Sequence, residues 1–179
     1  MSFFRALELR GAVAFIKKKV YISGVRKYFL QYMITTRQLK DVFQTAAEMR
    51  RLTCQYWADL GRWLDAPFID YFNYVCALPY VSDPEQVETI SRPAFTLRED
   101  YGPRDCDDKA VLIACWLYAH GVPVRFVAIS TAPNCELCHV FAHGWGMDLD
   151  ATYNEYHGML GKYPYNKDVT ARADLTTDF

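Results

Sequence analysis

No apolar stretch of this sequence approaches the roughly 20 residues that a membrane-spanning helix needs. The N-terminal run Gly11-Ala12-Val13-Ala14-Phe15-Ile16 stops at Lys17-Lys18-Lys19. Those lysines stand where the small residues of a cleavage site belong, so the segment resembles a signal peptide poorly, and a short amphipathic helix lying on a membrane or an assembly is what it leaves open. Charge of one sign is lacking too. With 20 basic and 21 acidic residues the formal net charge is -1, which gives no global attraction for nucleic acid. Internal repeats and low-complexity tracts are absent. So is any EF-hand-like series of calcium ligands.

What is present suffices for one ordinary core carrying a helical appendage: 179 residues, 51% of them hydrophobic. Six cysteines, Cys54, Cys76, Cys106, Cys115, Cys135 and Cys138, are an even number. A chain of this length without a recognisable secretion signal does not need a disulfide framework, and reduced thiols are expected.

Residues 1 to 33 mix basic side chains (Arg10, Lys17, Lys18, Lys19, Arg26, Lys27) with aromatics (Phe3, Phe4, Phe15, Tyr21, Tyr28, Phe29, Tyr32). They read as a solvated or docking segment rather than a nucleic-acid site. From Thr36 the apolar residues Leu39, Val42, Phe43, Ala46, Met49, Leu52, Tyr56, Trp57, Leu60 and Trp63 recur at helical spacing, predicting one long amphipathic helix capped by Thr36 and ending near Gly61. Its aromatic stripe reads as packing. A shorter helix follows over 69 to 76, then an extended stretch from Leu78 to Pro84.

Residues 106 to 120 are apolar on nearly every side, which predicts a helix buried in mid-domain, ended by Gly121 and Pro123. Strands are expected over 124 to 129, 139 to 145 and 147 to 152, and the polar stretch from Asn166 to Phe179 reads as a loop or docking strap. The chain thus divides into a basic, aromatic and helical segment (1 to 65), a core (66 to 165) and a tail (166 to 179).

Cys106 opens the buried helix, where unsatisfied N–H groups and the helix dipole favour a thiolate. Asp105 is placed to act as N-cap and Asp108 as the acid of a capping box. An unpaired cysteine is more often a small buried hydrophobe than a nucleophile, so Cys106 has to be judged by its partners. With Trp145 and Gly146 at a hairpin tip, Gly144 faces Met147, and His139 and Asp150 become diagonal neighbours with Cβ atoms about 7 Å apart or less. The same register puts His143 opposite Asp148, the structural decoy.

Cys106, His139 and Asp150 together would supply a nucleophile, its base and a carboxylate that orients the base. The Cys106 N–H is one oxyanion donor. Gln44, Gln55 and Gln86 are upstream candidates for a second, with none preferred. A competing motif, Cys135-Glu136-Leu137-Cys138-His139, matches the C-x-x-C-H pattern of covalent haem attachment, and the same thiols with His139 or His143 supply part of a zinc set. Two loop thiols ahead of a strand, open to oxidation, are the plainer reading.

Assembled in order, Tyr80-Val81 with Asp83-Pro84, Ile90 with Pro93, Thr96-Leu97, Asp105-Cys106-Asp107-Asp108-Lys109-Ala110, Gly121-Val122-Pro123-Val124-Arg125-Phe126-Val127, His139-Val140-Phe141-Ala142 and Leu149-Asp150-Ala151-Thr152 resemble the transglutaminase-like cysteine peptidase superfamily in its compact bacterial and phage-encoded form. The resemblance covers roughly residues 66 to 152. It implies a papain-like α+β fold, a central helix on an antiparallel sheet, and a Cys106–His139–Asp150 triad acting on amide bonds of a protein or peptide without a cofactor or metal.

Arg104 stands where similar sequences usually carry Gly, placing either an obstacle or a cation near the thiol, and Ala151 replaces a usual Pro. The hairpin between His139 and Asp150 is shorter than is typical, which narrows or exposes one wall of the cleft. Because some members of the superfamily have lost activity, a second function is carried beside the first. It is a silent scaffold or assembly protein, such as a phage structural component, docking through residues 1 to 33.

Overall fold

The computed structural model describes residues 41–83, 89–98, 104–130, 137–152, 159–161 and 169–179, with 159–161 described by backbone alone. The docking segment predicted over 1 to 33 lies outside them. So do Thr36, Gln86 and Cys135.

The first helix, α1 (Val42–Tyr56), begins later than the apolar spacing predicts. Asp41 is its N-cap: one carboxylate oxygen accepts the Phe43 N–H at 3.0 Å and the Gln44 N–H at 2.9 Å, satisfying two orphan donors of the first turn. The predicted single helix also ends early. At Trp57 the chain tightens into a 3₁₀ segment (Trp57–Leu64), interrupted at Gly61, whose φ of 54° is left-handed. Trp63 and Trp116 are bound by packing: Trp63 stacks on Tyr74 at 4.3 Å, and the Trp116 indole donates to the Trp63 carbonyl at 3.1 Å.

Two further helices, α2 (Phe68–Ala77) and the single turn α3 (Pro93–Thr96), flank the central helix α4 (Cys106–Ala119). All residues of α4 from Asp107 to Leu117 are buried, which accounts for its apolar residues on every side. It closes as predicted at Gly121 (φ 67°), where the Val122 N–H returns to the Leu117 carbonyl and the Gly121 N–H to Tyr118, both at 3.0 Å. Tyr71, fully buried on α2, donates its hydroxyl to the Leu112 carbonyl at 3.0 Å and fastens α2 to α4.

Strands β1 (Val124–Ser130), β2 (His139–Gly144), β3 (Met147–Asp150), β4 (Met159–Gly161) and β5 (Ala171–Asp174) form an antiparallel sheet in the order β4-β3-β2-β1-β5. Gly144 pairs with Met147 and His143 with Asp148, the register that the hairpin tip predicts. The ladder stops at Ala142 and Leu149. Val140, Ala142 and Leu149 enter the core beneath α4, whereas Val127, Ile129 and Phe141 form a smaller apolar cluster apart from it.

The tail read as loop or strap supplies β5 on the free edge of β1. The terminal Phe179 then exchanges backbone hydrogen bonds with Val124, at 3.2 and 3.0 Å. Among the described residues no helix is long and apolar enough to cross a membrane. The architecture is α+β, with helices packed on one antiparallel sheet.

Candidate active site

Cys106 is the first residue of α4, and its neighbours differ from those the sequence predicts. Asp105 occupies the cap position without making a side-chain cap hydrogen bond. Asp108 does not close a capping box: its Oδ1 accepts the Ser91 N–H at 2.7 Å, tying α4 to the segment before α3. Oδ1 of Asp105 and Oδ2 of Asp108 are buried without a hydrogen-bond partner among the described residues. Burial pushes the Asp108 carboxyl up from 3.8 to about 8.

The same local chemistry corrects the expectation of a ready thiolate. Desolvation by burial, then Asp105 and Asp107, push the Cys106 thiol well above its ordinary range, against a hydrogen bond with the Val140 backbone that favours the thiolate. Burial and the flanking acids thus work against the thiolate that the helix N-terminus favours. The sulfur's contact with Val140 nevertheless brings it beside the residue that follows His139.

His139 starts β2, where its ring is reached from the cleft, and Asp150 ends β3, 1% exposed. Nε2 of His139 lies 2.7 Å from Asp150 Oδ2. The other carboxylate oxygen accepts both the Thr152 N–H, at 2.9 Å, and the Thr152 hydroxyl, at 2.6 Å. That hydroxyl is also 3.3 Å from Nε2. Thr152 thus holds the carboxylate that faces the imidazole at Nε2.

Cys106 and His139 line one cleft of ≈ 330 Å³ with Val42, Met49, Leu137, Val140 and Leu175 among its apolar walls and Asp41, Thr45 and Asp107 among its polar ones. The decoy pair forms as well: His143 Nδ1 is 2.7 Å from Asp148, whose oxygens take Arg172 in a fork at 2.7 and 2.8 Å. Arg172 in turn lies over the Phe141 ring, 5.6 Å from its centroid. Asp148 is thus engaged by Arg172, while Asp150 takes Thr152 and His139.

Arg104 neither crowds the thiol nor serves it as a cation. The side chain is 2% exposed and its guanidinium donates to the carbonyls of Thr96, at 2.8 Å, and Arg98. Gln44 and Gln55 stay on α1, with Gln44 Nε2 on Asp41 at 3.4 Å and Gln55 accepting from Arg51. Cys54, Cys76, Cys106 and Cys115 are unbridged.

Among the described residues, Cys138, His139 and His143 do not assemble a metal-type cluster. Asp105, Asp107 and Asp108 do bring one oxygen each within 4.8 Å of one another, a donor set of the kind hard cations use. Two residues of the site were given no role from sequence: Thr152, and Lys109, whose Nζ lies 3.3 Å from the Cys76 carbonyl and 3.5 Å from that of Ala151. A lysine one turn after the thiol, in a helix with no polar face, was the available signal for the second.

No protein-family model matches this chain, and no curated protein matches it. Among solved structures it is similar to one described as a putative cysteine protease from Cytophaga hutchinsonii, with 14% identity and a TM-score of 0.36. That similarity covers 75% of this chain and 54% of the other, so the chain spans about half the length of the protein it matches.

Proposed function

We propose that the chain is a cysteine-dependent amide hydrolase or acyl transferase of papain-like arrangement, acting on a protein or peptide through Cys106, His139 and Asp150. The observation that carries the reading is the buried Asp150 carboxylate aimed at His139 Nε2, 2.7 Å away, on the wall of the cleft that Cys106 also lines. Because burial and the flanking acids hold Cys106 as a thiol, His139 acts as a general base during attack rather than as half of a standing ion pair.

In the first step the Cys106 sulfur bonds to the amide carbonyl carbon while its proton passes to His139. Asp150 stabilises the imidazolium, and the Cys106 N–H at the start of α4 faces the developing oxyanion. Collapse breaks the C–N bond, His139 returns the proton to the departing amine, and an acyl-thioester remains on Cys106. Water then gives a carboxylic acid and an amine gives a new amide, so hydrolysis and transfer share every residue named here. A panel of protein and peptide substrates tests the reading. Turnover is expected to vanish in Cys106→Ala with the fold intact, and turnover that survives the substitution sinks it.

One observation favours a second reading, that of a silent scaffold: partial burial of the thiol and the flanking acids Asp105 and Asp107 oppose its ionisation. On that reading Cys106→Ala has no phenotype, and partner contacts run through residues 1 to 33.

A further inference from the structure

Lys109 is a charged side chain sealed in the core, 1% exposed, one helical turn beyond Cys106. An ammonium in such a place is costly unless opposite charge and acceptors surround it. Here the acceptors are the Cys76 carbonyl on α2 and the Ala151 carbonyl directly after Asp150, at 3.3 and 3.5 Å. Burial pulls the Lys109 ammonium below its ordinary range, opposed by Cys76 and Asp150. Packing alone does not account for the residue, because an apolar side chain of the same volume would fill the site without the desolvation cost.

We propose that Lys109 is a positioning residue for the His139–Asp150 pair, its ammonium holding the end of β3 through Ala151 and keeping the Asp150 carboxylate charged opposite His139. The inference rests on the triad reading above. Its chemical content is electrostatic: a cation beside the carboxylate opposes the uptake of a proton by the Asp150–His139 pair, and so extends to lower pH the range in which His139 accepts the Cys106 proton. Among the described residues, ionisable groups facing this pair and the ammonium include Cys76 on α2, Cys106 on α4 and Arg104 ahead of α4. Substitution of Lys109 leaves all three in place.

The test is the pH profile of Cys106 alkylation by iodoacetamide, resolved by peptide mass spectrometry, in wild type, Lys109→Gln and Lys109→Arg, each checked for cooperative urea unfolding. Gln keeps an amide donor for the carbonyls without the charge. Its acid limb is expected to move up by at least roughly one pH unit, the effect of removing one unit charge within about 10 Å at an effective dielectric near 20. Arg is expected to leave the limb in place. An unshifted limb in folded Lys109→Gln, or an equal shift in Lys109→Arg, overturns the proposal.

A second reading needs no variant: ¹⁵N NMR of lysine-labelled wild type is expected to show a protonated Lys109 at pH 7, and a neutral amine there overturns the proposal. A wild-type Cys106 whose labelling ignores His139 sinks the triad reading itself. A His139-dependent wild type whose acid limb ignores Lys109 sinks this inference alone.

Discussion

Asp148 and Asp150 are two residues apart, equally buried, and each 2.7 Å from a histidine nitrogen, yet changing them is expected to affect Cys106 differently. Asp150→Asn removes the charge proposed to support the imidazolium and leaves buried Lys109 short of a counter-charge, so labelling of Cys106 in the folded variant at neutral pH is expected to fall at least about tenfold, alongside a loss of stability read by urea unfolding. Asp148→Asn leaves Arg172 and His143 short of their counter-charge. It is expected to cost roughly 1–3 kcal/mol, discounted for the partial exposure of Arg172, with Cys106 labelling unchanged.

A third carboxylate carries a pH signature. Asp108 titrates near 8 in the fold against 3.8 ordinarily, so between those values the folded protein holds a proton that the unfolded chain has lost. Stability contributed at this site therefore falls as pH rises through that window. Asp108→Asn is expected to flatten the decline measured by urea unfolding at pH 5 and pH 8.5, by an amount on the order of a few kcal/mol. A decline as steep in the variant would show that other groups cause it. The pairing of His139 with Asp150 was legible in strand alternation, but the elevated thiol was not. Helix-end electrostatics can be read from local sequence, whereas desolvation depends on residues brought in from elsewhere.

At the level of elements, period and punctuation located most of the structure. The buried helix is where its apolar residues place it, and the Gly121 closure and the Gly144–Met147 register follow from the residues that mark them. The first helix shows where such reading stops: apolar spacing runs through Thr36 to Gly61, but Asp41 has the carboxylate that satisfies the Phe43 and Gln44 N–H groups, so it sets the start. Asp41→Ala is expected to lower stability by about 1 kcal/mol. Contact between α4 and β2 supplies a sharper test. A Cβ on Gly144 would stand 2.9 Å from Leu117 Cδ1, the far end of a fully buried side chain, so Gly144→Ala is expected to make Leu117 shift at a cost of roughly 1 kcal/mol, read as a lower Tm.

Over the whole molecule, helices up to residue 120 were legible from their apolar spacing and strands after it from β-branched and aromatic content, while the full sheet was not. β5 pairs with β1 across some forty residues, and a short polar segment such as Ala171–Asp174 shows no period that announces a strand. The candidate site inherits that division: the histidine and carboxylate come from one local hairpin, whereas Lys109 and Thr152 gain their meaning only when α4, α2 and the end of β3 meet.

The central claim is that Cys106, His139 and Asp150 act together. Its most direct measurement is peptide-resolved iodoacetamide labelling of wild type and His139→Ala at neutral pH, with buried Cys76 and Cys115 as internal references. Wild-type Cys106 is expected to react at least about tenfold faster than either reference, because His139 takes its proton, and the variant to lose this advantage. Equal, slow labelling of Cys106 in both proteins would contradict the claim.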